Sequence, residues 1–155
     1  MPPEDAVDLA ALQTLLTSVV APWVTELNLR VLAATPGAVT LALPIAPRHV
    51  HGGGVLCGQT MMAAADTAMI LAIVSQTGAF RPMTTVQLQT SFLRPIPGKP
   101  AAKPAGAGAG DGPPAEARVI ARVLRLGKRL VFGEIEVLDP AGQLAAHATT
   151  TYALL

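Results

Sequence analysis

Between residues 8 and 20, apolar side chains recur at Leu9, Leu12, Leu15, Leu16, Val19 and Val20. That spacing predicts an amphipathic helix, so residues 1–22 form an N-terminal helical segment, ended or bent at Pro22. Leu27, Leu29 and Val31 alternate within 26–34, and Val39, Leu41 and Leu43 within 38–45. With Pro36-Gly37 between them, these predict two strands of a hairpin. Pro47 and Gly52 to Gly54 mark a loop up to Cys57. Residues 58–76 are Met- and Ala-rich, apolar almost all round and free of breakers, which predicts a long helix buried on most sides. Gly78 is its expected C-cap. Four strands follow. They cover 84–93, with Val86, Leu88 and Phe92 on one side, then 115–126, 130–138 and 144–153. Residues 99–114 are almost only Ala, Gly, Pro and Lys. They cannot bury much apolar surface and are expected to be a flexible loop.

Two strands, one buried helix and four strands make an α+β arrangement. One helix cannot cover both faces of six strands. The simplest solution is a curved antiparallel sheet wrapped around the helix, with the rest covered by a partner subunit. The 155 residues suit one domain. Only 14% are charged, against roughly 25% in ordinary domains, which again points to a face buried in an oligomer. Aromatics are 3%, so the core is aliphatic. A net charge of +1 with no basic run excludes nucleic-acid binding. The lone Cys57 excludes an internal disulfide and fits a reducing compartment. The Met-Pro-Pro-Glu-Asp start lacks a signal peptide's basic region. The longest apolar run, 60–74, is too short to span a bilayer and carries an aspartate at its centre. A cytoplasmic protein without membrane attachment is expected.

That aspartate is the most informative residue. On a helix, Asp66 neighbours Met62, Ala63, Met69 and Ile70, all apolar. An unpaired buried carboxylate is costly, and such groups concentrate at active sites. The structural alternative is an aspartate that bonds backbone groups or a partner chain's basic residue. Gly58 opens the same helix, whose N-terminus presents free N–H groups and a partial positive charge. An N–H there can stabilise an oxyanion. His49, His51 and Cys57 are one ligand short of a closed zinc site, so no metal is assigned. The glycine-rich stretch after Lys99 lacks the Gly-Lys-Ser/Thr ending of a phosphate-binding loop.

The stretch Gly-Gln-Thr-Met-Met-Ala-Ala-Ala-Asp-Thr-Ala-Met at 58–69 resembles the helix start of the phenylacetate-pathway (PaaI-like) hotdog thioesterases. So do Thr-Ser-Phe-Leu-Arg-Pro at 90–95, Leu-Gly-Lys-Arg-Leu at 126–130 and Ala-His-Ala-Thr-Thr-Thr-Tyr at 146–152. These matches run in family order from about residue 26 onward. Family members carry His-Gly-Gly from nine residues before their catalytic aspartate. Here Cys57, Gly58 and Gln59 stand there, a departure at the histidine and the second glycine.

The resemblance implies the hotdog fold and hydrolysis of an acyl-coenzyme A, with coenzyme A as part of the substrate and no separate cofactor. It makes Asp66 the attacking or water-activating acid and Gly58 the oxyanion donor. His51 falls where members place an asparagine that polarises the thioester. Thr84, from the facing subunit, matches a hydroxyl that positions water. Cys57, Gln59 and Thr85 join the substrate-binding set, and Arg94, Lys128 and Arg129 are candidates for the coenzyme A phosphates. A homodimer at least, with a homotetramer as the common family outcome, is implied. Two other activities fit the fold. One is a non-catalytic acyl-CoA binding or assembly module, which the missing histidine favours and Asp66 opposes. The other is an enoyl-CoA hydratase, which needs an Asp-His pair that the chain lacks.

Overall fold

The computed structural model describes residues 7–98 and 113–155. The expected loop at 99–114 therefore lies outside the described residues except for Pro113 and Pro114. Helix α1 runs Leu9–Ser18 and begins where the Asp8 carboxylate accepts hydrogen bonds from the Ala10 and Ala11 N–H groups at 3.0 and 3.2 Å. Its buried face is Leu12 and Leu16. Pro22 starts a second short helix, α2 (Pro22–Thr25), since proline at the first position loses no helical hydrogen bond.

Strand β1 spans Arg30–Thr35 and β2 spans Ala38–Pro44. The first strand thus starts later than the alternation at Leu27 and Leu29 predicts. Both leucines are buried, but Asn28 between them adopts φ +54°, a left-handed conformation that Asn tolerates and an extended strand excludes. Helix α3 spans Gly58–Thr77 and ends at Gly78, whose φ of +82° and N–H to the Val74 carbonyl close the last turn. Strands β3 (Met83–Phe92), β4 (Glu116–Leu126), β5 (Leu130–Leu138) and β6 (Leu144–Leu154) complete the chain.

All pairings are antiparallel, in the order β1-β2-β4-β5-β6-β3. The six-stranded sheet curves around α3 as predicted. Ala64, Ala65, Ala68 and Ala72 let the helix lie close to Leu41, Leu43, Val119, Val131 and Ile135 of the sheet. The approach is tightest at Gly133 in β5. A Cβ there would stand 2.7 Å from Met69 Sδ and 2.9 Å from the Arg122 carbonyl oxygen. At 20 residues, α3 is long and apolar enough to cross a membrane, contrary to the length expected from the run 60–74. It is instead the core helix under the sheet, with 61% of its apolar window buried.

The helix is not covered on every side. Gln59 is exposed, and Met62, Ala63, Asp66 and Ile70 are only half-buried. These positions recur every three to four residues, so they form one open stripe. Among the described residues, strand β3 is a sheet edge whose outer hydrogen-bonding groups have no neighbouring strand.

Candidate functional site

Asp66 sits in the open stripe of α3, opposite the β3–β6 pair. Thr85 on β3 and Tyr152 on β6 are direct register partners, so their side chains emerge side by side on the helix-facing side of the sheet. The Thr85 hydroxyl donates to Asp66 Oδ1 at 2.8 Å. The Tyr152 hydroxyl lies 2.6 Å from the same Oδ1 and 2.8 Å from the Asp66 backbone oxygen. Among the described residues no hydrogen bond reaches Oδ2. The expected unpaired and fully buried carboxylate is therefore half-buried and anchored at one oxygen. Tyr152 itself is 1% exposed. Burial, followed by the nearby Asp66 charge, pushes its phenol well above the usual tyrosine range. It keeps its proton at any working pH.

A β-bulge decides which threonine faces the acid. The β3–β6 register slips between Thr85 and Gln87 and leaves Val86 unpaired and 61% exposed. Inward positions therefore run Phe92, Thr90, Leu88 and then Thr85. Val86, expected on the buried side, points out, and Thr84 is exposed, paired with Ala153. Within one chain Thr85, not Thr84, stands at Asp66.

Gly58 is the first residue of α3, and Cys57 before it makes no side-chain cap, so among the described residues no side chain bonds the first-turn N–H groups. The Cys57 thiol instead lies 3.0 Å from the Thr60 hydroxyl. A cleft of about 350 Å³ opens at this helix end, with His51, Met61, Phe92 and Arg94 among its walls. The Phe92 ring lies against Gly58 closely enough that a Cβ there would stand 3.0 Å from Phe92 Cζ. His51 is exposed, and its Nδ1 accepts the Gly53 N–H at 2.9 Å. The exposed Gln59 is one residue into the helix.

The basic candidates do not converge. Arg94 stands at the Gly58 end, bonded to Gln143 Oε1 at 3.2 Å. Lys128 and Arg129 lie in the β4–β5 turn, where the Arg129 carbonyl accepts the Leu154 N–H. Phe92 pairs with Ala146 and Met83 with Leu154, so these two ends of the sheet are nine residues, about 30 Å, apart. One chain cannot bring all three to one phosphate cluster.

Sequence reasoning missed Tyr152 and Phe92 as site residues. The usable signal for Tyr152 was its rarity. It is the one tyrosine in the chain, at an inward position of an alternating strand, and a buried phenol needs a hydrogen-bond partner. Phe92 carried no such signal, because an inward phenylalanine reads as core. The described residues contain no group of three or more His, Cys, Asp or Glu that could hold a metal.

No protein-family profile matches the chain. It is 26% identical over 118 residues, 75% of each chain, to a Thermoplasma acidophilum protein that bears an esterase name. Its structure resembles zebrafish thioesterase superfamily member 2, with TM-score 0.77, 19% identity and coverage of 97% of this chain and 100% of that one. It also resembles a Haemophilus influenzae thioesterase, with TM-score 0.75, 17% identity and coverage of 100% and 95%. A variant of the phenylacetic acid degradation protein PaaI of Thermus thermophilus matches with TM-score 0.68, 24% identity and coverage of 87% and 100%. In architecture the chain is therefore a hotdog-fold protein of the kind seen in PaaI and thioesterase-superfamily structures.

Proposed function

We propose that the protein is an acyl-CoA thioesterase that works as a homodimer or a larger homo-oligomer on cytoplasmic acyl-CoA. The observation that carries this reading is Asp66. It is the only acid on α3, it lies in the open stripe of the helix, and it is anchored at Oδ1, while Oδ2 meets no hydrogen-bond partner among the described residues. A carboxylate so placed can take a proton from water, or attack a carbonyl itself. The Gly58 N–H then supports the oxyanion. In the water route the C–S bond breaks and the coenzyme A thiolate leaves with the proton Asp66 took; in direct attack the thiolate leaves an acyl-Asp66 anhydride, which water hydrolyses to the free acid and Asp66.

The distance between these parts supports the oligomer. Asp66 is eight residues beyond Gly58 in one helix, about 12 Å along its axis. A reacting carbonyl must sit about 3 Å from both the attacking group and the oxyanion donor. One chain cannot supply both, whereas the Asp66 of one copy and the Gly58 of a second can. The free β3 edge and the open stripe of α3 beside it offer a place for that copy. The same arrangement lets Arg94 of one copy and Lys128 and Arg129 of the other serve one coenzyme A.

The test is thiol release from short-chain, long-chain and aryl acyl-CoAs by the wild type and Asp66→Asn. Release by the wild type that drops at least ~100-fold in the variant is expected, the scale of a lost general base. Absence of release from every substrate, with coenzyme A still bound, would refute the enzyme. It would favour a binding module, for which Cys57 in place of the family histidine is the motivating observation.

A further inference from the structure

The two oxygens of Asp66 are not equivalent. Oδ1 meets two hydroxyls, Thr85 at 2.8 Å and Tyr152 at 2.6 Å, while Oδ2 meets none among the described residues. The Tyr152 hydroxyl has a single proton to donate. It lies near two acceptors, the backbone oxygen at 2.8 Å and Oδ1 at 2.6 Å. The carboxylate oxygen is the nearer of the two and, being ionised, the stronger acceptor, so the proton goes to the carboxylate. A distance of 2.6 Å also falls in the range of hydroxyl-to-carboxylate bonds. Both donors are held rigidly. Tyr152 is fully buried in the sheet's inner layer, and Thr85 is fixed beside it by the strand register and the bulge at Val86.

We propose that Tyr152, with Thr85, is a positioning residue that ties down Oδ1 of Asp66 and so assigns the chemistry to Oδ2. Without the tether, the carboxylate can turn about its terminal torsion, which is soft and two-fold. It then spends part of its time with neither oxygen aimed at the substrate. The phenol does not itself exchange protons with the reaction, because burial and the Asp66 charge hold it protonated. The proposal rests on Asp66 as the acid, and a further measurement below separates the two claims.

Tyr152→Phe keeps the buried ring and removes only the hydroxyl. Misplacement of a reacting group by about 1 Å costs up to ~10²-fold in rate, so kcat should fall about 10- to 100-fold. KM should stay within about two-fold, because the substrate contacts are untouched. A merely structural tyrosine would lower Tm and leave kcat per folded molecule unchanged. Thr85→Val should lower kcat in the same manner, and Thr85→Ser should restore it, since serine keeps the donor.

A second readout is independent of turnover: the 13C resonance of the Asp66 side-chain carboxylate in wild type and Tyr152→Phe. A clear displacement shows that the phenol contacts the carboxylate, even if the wild type releases no thiol and the thioesterase reading fails. A resonance that stays in place, or a Tyr152→Phe enzyme with wild-type kcat, overturns the positioning role.

Discussion

Gly133 is the point at which the sheet admits helix α3, and Gly133→Ala measures how tightly the two are matched. The added methyl would lie 2.7 Å from Met69 Sδ, closer still to Met69 Cε, and 2.9 Å from the Arg122 carbonyl oxygen. The methionine end is flexible in principle, but Met69 is 0% exposed and has nowhere to swing without moving its neighbours. The Arg122 oxygen belongs to backbone paired between β2 and β5 and cannot yield. Overpacking of this kind costs roughly 1–3 kcal/mol. The conformational gain of alanine over glycine in a strand returns about 0.5–1 kcal/mol. A net loss of about 1 kcal/mol is expected, which for a chain of this size lowers Tm by about 2–4 °C. The assay is thermal unfolding by circular dichroism on purified protein. Met69→Ala combined with Gly133→Ala should destabilise less than the sum of the two single changes, because it clears the sulfur and methyl contacts. Met69 is three residues from Asp66, so the shift should also reach activity. A Tm unchanged or raised by Gly133→Ala would show that the helix does not lie this close to β5, and the placement of Asp66 against Thr85 and Tyr152 would fall with it.

Two further outcomes follow from groups away from the acid. The Thr90 hydroxyl on β3 is buried and has no hydrogen-bond partner among the described residues. Such an orphan costs free energy, so the near-isosteric Thr90→Val should leave Tm unchanged or raise it by up to ~4 °C, worth about 1 kcal/mol. A clear fall in Tm would reveal a partner for the hydroxyl. His49 is held below its ordinary value of 6.5, first by partial burial and then by the neighbouring Arg48. Its proton therefore binds the unfolded chain more readily than the folded one, so stability decreases as pH falls through the unfolded value near 6.5. Denaturant unfolding of wild type and His49→Gln between pH 7.5 and 5 should show a flatter pH dependence in the variant. Parallel curves would dismiss the assignment.

Much of the site was visible in the chain before folding. Asp66 stood out because four apolar neighbours surround it on a helix, and Gly58 because a helix starts there after a glycine-rich loop. Both signals are local, and the structure keeps both residues where local rules put them. The facing of strand β3 shows the opposite case. Counting in twos back from Phe92 through Leu88 selects Val86 and Thr84 as inward. One extra residue at the bulge reverses that parity, so Thr85 reaches Asp66 and Val86 meets solvent. A bulge is set by how a strand pairs with its neighbour, and no residue type at Val86 announces it.

Tyr152 and the basic residues follow the same logic. Tyr152 and Asp66 are 86 positions apart and meet only because β6 lies beside β3 across the helix. Arg94, Lys128 and Arg129 look like one set along the chain, yet the antiparallel sheet sends them to opposite ends. Alternation, turn residues and an uninterrupted apolar stretch determined the element types, the single buried helix and the α+β class, because those properties depend on neighbours within a few residues. Strand order, register and the helix–sheet contact decided which hydroxyls hold Asp66 and where the basic residues lie, because those depend on distances between segments remote in sequence.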